Sequence, residues 1–231
     1  MPFIYSLILL IILIIVLSAL RQRLVYELSG TTLLLFGSTR PGVMFYSLLV
    51  LPGTIIHELS HWITAEVLLV RTGEITIFPG ADDDTGQKRL GSVATQRTGP
   101  LRGFVIGIAP FISGLAILLV LGRLLADGWG NYSFWALALL IYGIMVVGNS
   151  MMISASDRRT WPFIIILVLL IAILISRYYP SLLTTYNSLF ITIISPLNQV
   201  LGVTAGLNLV MIGGLYATRR FIENLTKRRI L

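Results

Sequence analysis

Three residues have the types and spacing for hydrolytic metal chemistry: His57, Glu58 and His61, in the run His57-Glu58-Leu59-Ser60-His61. The two histidines are the only ones in the chain. On a helix, positions four apart lie on one face, one turn from each other. Two imidazoles placed this way can chelate one divalent cation, and the glutamate after the first can reach water at that cation as a general base. Zn²⁺ suits these donors and brings the pKa of its water towards about 7. Random placement of two histidines and a neighbouring glutamate gives this pattern in roughly one case in several thousand. The motif is surrounded by apolar sequence, and an ionisable residue at membrane depth is costly and by default marks function.

The elements that position the motif follow from composition. The chain has 231 residues, 56% hydrophobic and only 12% charged, about half the charged fraction of a soluble domain. Its apolar residues fall in runs near the roughly 20 residues needed to cross a bilayer. The expected class is an all-α polytopic membrane protein in contact with the lipid bilayer. There is no cysteine, which excludes disulfides, iron–sulfur clusters and thiolate zinc sites. The net charge of +7 does not imply nucleic acid, because the basic residues collect at the ends of apolar runs, where they meet lipid head groups. The Arg219, Arg220, Lys227, Arg228, Arg229 tail reads as a stop-and-anchor segment on the cytoplasmic face.

About six spans are expected. The first covers Phe3–Leu20 and reads as an anchor, not a removed signal peptide. A connection over residues 21–41 follows, with Thr31–Phe36 β-prone or interfacial. The second span, Val43–Val70, should kink or break at Pro52-Gly53. Residues 71–102 are polar. Within them, Glu74–Phe78 and Leu90–Thr95 alternate like half-buried strands, and Pro79–Lys88 reads as a turn, so a small β-hairpin or sheet is expected on the membrane surface. Gly103–Leu125 is the third span, with Pro110 and Gly114 inside it, and Tyr132–Met152 the fourth. Trp161–Ser176 is the fifth. From Tyr178 to Thr218 there is no charge. This stretch fits one span near Val200–Thr218 after a piece broken at Pro196, or two spans. Residues 1–42, 43–161 and 162–231 divide the chain into an anchor with its connection, a core, and C-terminal helices with the basic tail. Counting Lys and Arg over six spans puts both termini in the cytoplasm. A prokaryotic plasma membrane is the expected setting.

The motif in a membrane helix (Leu51–Ala65), the β-prone stretch after it, and an Asn149…Asp157 pair at the end of a later span resemble the site-2 protease family of intramembrane zinc metalloproteases. The resemblance covers roughly Val43–Trp161, three spans corresponding to that family's helical core. It implies that His57, His61 and Asp157 bind Zn²⁺, that Glu58 is the catalytic base, and that Asn149 helps to position substrate backbone. The implied partner is a membrane-protein substrate helix. Two departures stand out. Ser60 replaces the usual glycine before the second histidine, and only the Asn and Asp of the family's third-ligand motif are present. No PDZ-like module is found.

Other readings stay open at this level. Glu66, Glu74 and Asp82–Asp84 are rival third ligands; five residues past His61, Glu66 is turned about 140° from it on a helix. Asp157 abuts Arg158 and Arg159, which belong near the surface, whereas His57 lies about 21 Å from Arg71 along a straight helix. The two halves of the site therefore meet only if a helix unwinds or extends past the bilayer. A metallopeptidase with a glutamate ligand, acting at the membrane surface, is one alternative. The other is a catalytically inactive relative that serves as an accessory or structural subunit of a larger membrane complex.

Overall fold

In lipid a backbone must satisfy its own peptide groups, and for a lone apolar segment a helix is the way to do so. The computed structural model describes residues 2–76, 92–96, 98–128, 130–151 and 187–227, with positions 166, 170, 174, 177 and 178. The described elements are α1 (Pro2–Phe36), α2 (Arg40–Val67), β1 (Thr72–Thr76), β2 (Ser92–Thr95), α3 (Pro100–Asp127), α4 (Phe134–Ser150) and α5 (Asn187–Thr226). Helices α1, α2, α3 and α5 are long and apolar enough to cross a membrane, and α4 is a shorter apolar helix. Large apolar side chains such as Ile15, Phe45, Ile112 and Val210 point outward, as a lipid-facing surface requires. The protein is a helical membrane protein.

Helices α2, α3 and α4 pack against one another, and among the described elements α1 and α5 make the most extensive contact. The four-way seam between α1, α3, α4 and α5 is closed by Leu17, Leu118, Ile144, Val147, Met151 and Leu201. Two polar links show how α1 and α5 align. Asn198 Nδ2 donates to the Ser6 carbonyl at 2.8 Å, and Arg219 Nε donates to Glu27 Oε2 at 2.6 Å; both pairs are 192 residues apart. A constant offset over two distant contacts means that α1 and α5 run parallel in one register.

That alignment corrects four sequence expectations. First, residues 21–36 are not a connection. Helix α1 continues to Phe36, through Thr31–Phe36. Arg23 and Glu27 pair at 2.6 Å one turn apart, and Thr31 Oγ1 bonds back to the Glu27 carbonyl, so both polar residues are accommodated within the helix. Second, the helix neither breaks at Pro52-Gly53 nor at Pro196. Both prolines lie inside continuous helices; in a bundle, neighbouring helices and hydroxyl side chains can satisfy the backbone groups that a proline frees. Third, an even number of crossings would set the first and last helices antiparallel. Their parallel pairing does not fit the expected six spans, of which four long helices are seen among the described residues, and it puts the N-terminal end of α1 and the C-terminal end of α5 at opposite ends of the bundle, not on one shared face. Arg219, Arg220 and Lys227 then lie on the side of Arg21 and Arg23, which removes the asymmetry behind the charge count. Fourth, Arg219 is no tail residue. It is buried between Glu27 and Glu223. The fifth expected span, over 161–176, falls largely outside the described residues.

Strands β1 and β2 pair antiparallel, with Thr72 opposite Thr95, Ile75 opposite Val93 and Thr76 opposite Ser92. Between the first two pairs, Gly73 and Glu74 on β1 stand against Ala94 alone on β2, which places a bulge between Thr72 and Ile75. The residues joining the strands lie outside the described residues. Val70 packs with Ala65 and Ile106, which anchors the start of this ribbon to the end of α2 and to α3.

Candidate metal centre

The motif lies in the second half of α2, beyond Pro52. The helix approaches α4 closely here: a Cβ on Gly53 would collide with the Ser150 side chain and the Val146 carbonyl. The Tyr142 hydroxyl donates to the Leu49 carbonyl at 2.8 Å, a second tie from α4 to the turn around Pro52. On the other side, Ser60 and Ser113 share a 2.7 Å hydrogen bond between α2 and α3. The small residue before His61 therefore permits close packing and adds a polar link. The helix that bears the motif is thus fixed from two directions.

Glu58 and His61 are buried, at 6% and 8% exposure, in a part of the molecule otherwise walled by apolar helices. The His57 and His61 rings lie edge to face with centroids 4.9 Å apart. Two imidazoles on one tetrahedral zinc, with Zn–N bonds of about 2.0–2.1 Å, have ring centres about 5 Å apart, so the observed spacing fits a shared cation. His61 Nδ1 lies 2.8 Å from the Ile106 carbonyl of α3. A carbonyl only accepts, so Nδ1 carries the proton and Nε2 of the neutral ring holds the lone pair. Metal-binding histidines show this pattern: the second ring nitrogen donates to a carbonyl or carboxylate, which fixes the tautomer and ring orientation.

No protein-family model matches the chain. Comparison with the curated proteins and with solved structures also returns no match.

The remaining predicted site residues fall differently. Asp157, Asp82–Asp84 and the Glu74 side chain lie outside the described residues. Among the described residues no three His, Cys, Asp or Glu side chains gather as a metal-holding group; the described part of the centre is the histidine pair with Glu58. Glu66, the rival ligand on the same helix, is exposed at its end and accepts a 2.8 Å hydrogen bond from Thr72 Oγ1. Asn149 is buried, and its amide exchanges two hydrogen bonds with that of Asn208 on α5, at 3.0 and 2.9 Å. Its Nδ2 also donates to the Met145 carbonyl. A substrate backbone reaching Asn149 would have to displace Asn208.

Sequence reasoning passed over Asn208, Ser113 and the Ile106 carbonyl. Asn208 did leave a signal: a lone amide in an uncharged run needs a buried partner. A backbone carbonyl leaves none, except through the proline four residues later.

Proposed function

We propose that the chain is a zinc-dependent intramembrane endopeptidase of the site-2 protease type. The observation that carries the reading is the histidine pair: two imidazoles 4.9 Å apart on a helix long and apolar enough to cross a membrane, one of them held as the Nδ1–H tautomer, with a buried carboxylate between them in sequence. His57, His61 and Asp157 would hold the ion. Zinc, when bound, would supply Lewis-acid polarisation of the scissile carbonyl and lower the pKa of water. Glu58 takes the proton from the attacking water on its carboxylate and passes it to the leaving amine nitrogen. The surrounding helices keep bulk water from the peptide being cut.

The substrate we propose is a membrane helix of another protein, unwound locally at the end of the bundle where α2 ends. Its extended backbone would add to an edge of the β1–β2 ribbon, since exposed strand edges recruit peptides through main-chain hydrogen bonds. That ribbon follows α2 directly and is anchored where Val70 packs beside Ala65, four residues past the motif's end. A prokaryotic plasma membrane is the setting proposed.

Purified protein in liposomes, given a panel of single-span peptides, tests this. Cleavage should fall within or beside the membrane-embedded stretch, stop with a zinc chelator such as 1,10-phenanthroline, and return with added zinc. Cleavage indifferent to chelation would contradict the proposal.

A further inference from the structure

Helix α3 contains Pro110 in a buried position, one turn after Ile106. In an α-helix the N–H of residue 110 would bond to the carbonyl of residue 106. Proline has no N–H, so the Ile106 carbonyl loses that partner. A buried carbonyl left this way costs about 1–3 kcal/mol unless another donor reaches it. His61 Nδ1 is that donor, at 2.8 Å.

We infer that Pro110 is a positioning residue for the histidine pair: by withholding its own N–H it reserves the Ile106 carbonyl for His61. Three consequences follow. The ring of His61 is oriented by a rigid backbone atom of a different helix. Its tautomer is set before any ion arrives, with Nε2 presenting the lone pair. The α2–α3 contact is locked by a bond that neither helix forms alone, beside the Ser60–Ser113 link. Buried Ile106, Gly107, Pro110, Gly114 and Leu118 form one stripe of α3, so the freed carbonyl is carried at the face that packs into the bundle. The role given to Nε2 rests on the metal-site reading above; the reservation of the carbonyl does not.

The test uses Pro110→Ala and Pro110→Leu, which both restore the N–H but differ in volume, with Pro196→Ala in α5 as a control proline. The chain has only two histidines, so ¹⁵N NMR of histidine-labelled, metal-free protein reads both rings, and His57→Gln assigns the His61 signals. The expected result is an Nδ1–H signature for His61 in the natural protein and in P196A, and a shift towards the Nε2–H form in both Pro110 variants. Zinc dissociation constants from chelator competition should rise about 10–100-fold in those variants, the usual effect of losing such a partner. A His61 tautomer in P110A and P110L like that of the natural protein would overturn the inference, as would an equal shift in P196A. If the natural protein bound no zinc, the metal-site reading would fail, while the tautomer result would still decide the role of Pro110.

Discussion

With the proposed chemistry, replacing Glu58 with Gln should lower cleavage by about 10²–10⁴-fold, the typical contribution of a general base, and should leave zinc content unchanged. The substitution is nearly isosteric, so the buried environment of residue 58 keeps its packing. The amide cannot take a proton from water at neutral pH. His57, His61 and Asp157 are intact in this variant, so the proposed ligand set is not altered. Cleavage rates in liposomes and metal analysis of the same preparation separate the two effects. Activity within tenfold of the natural protein would remove Glu58 from the chemistry. Loss of zinc together with activity would make Glu58 a ligand instead.

The second large effect lies far from the histidines. Removing the Arg219 guanidinium (Arg219→Ala) leaves Glu27, at 0% exposure, and Glu223, at 4%, facing each other without the cation between them. Breaking a buried ion pair by deleting one partner typically costs about 3–5 kcal/mol. Two flanking cations soften this. Arg23 also reaches Glu27, at 2.6 Å, and Arg220 reaches Glu223, at 3.3 Å, but both are about half exposed. Arg219 is the group that joins α1 to α5. The expected outcome is a clear fall in thermal stability in detergent and weaker α1–α5 docking. The docking can be read by a disulfide between Ser6→Cys and Asn198→Cys, since the chain has no cysteine of its own. Replacing Glu27, Arg219 and Glu223 together by leucine should restore most of the stability, because well-packed apolar groups often match a buried ion pair. An R219A variant that melts with the natural protein and crosslinks as readily would show that the cluster holds nothing together.

The cluster also explains how α1 and α5 outrun the bilayer. At 1.5 Å per residue α1 is about 52 Å long and α5 about 60 Å, against a hydrocarbon core of about 30 Å. Charge is absent from α1 up to Leu20. Glu27 lies about 10 Å further along the axis, at or past the edge of the lipid, where an ion pair with Arg219 is far less costly than at mid-membrane.

What could be read from the sequence was what depends on single residues and local runs. The apolar stretches reveal a membrane protein because lipid demands length and hydrophobicity in one segment. The motif at 57–61 places two imidazoles on one helical face through periodicity alone, and the rings do lie together. Tertiary relations were not readable. Arg21, Arg23 and Glu27 looked like a break because charge usually ends a span; here Glu27 is neutralised by Arg219, 192 residues away. Pro52-Gly53 and Pro196 looked like breaks because proline removes a helical bond, yet packing carries both helices through. The same logic hid the significance of Pro110, whose effect appears only when His61 arrives from another helix. The resemblance gives Asn149 a role at substrate; its bonds to Asn208 were not readable, because Asn208 lies on a helix that nothing local connects to it.

The proposed chemistry requires that His57 and His61 share one divalent ion. The most direct measurement is the metal content of purified protein, taken with X-ray absorption at the zinc edge. The expected result is one zinc per chain, with two imidazole nitrogens and at least one oxygen in its shell, and loss of that zinc in His57→Ala. A natural protein that takes up no zinc, or one whose zinc survives removal of His57 with an unchanged shell, would contradict it.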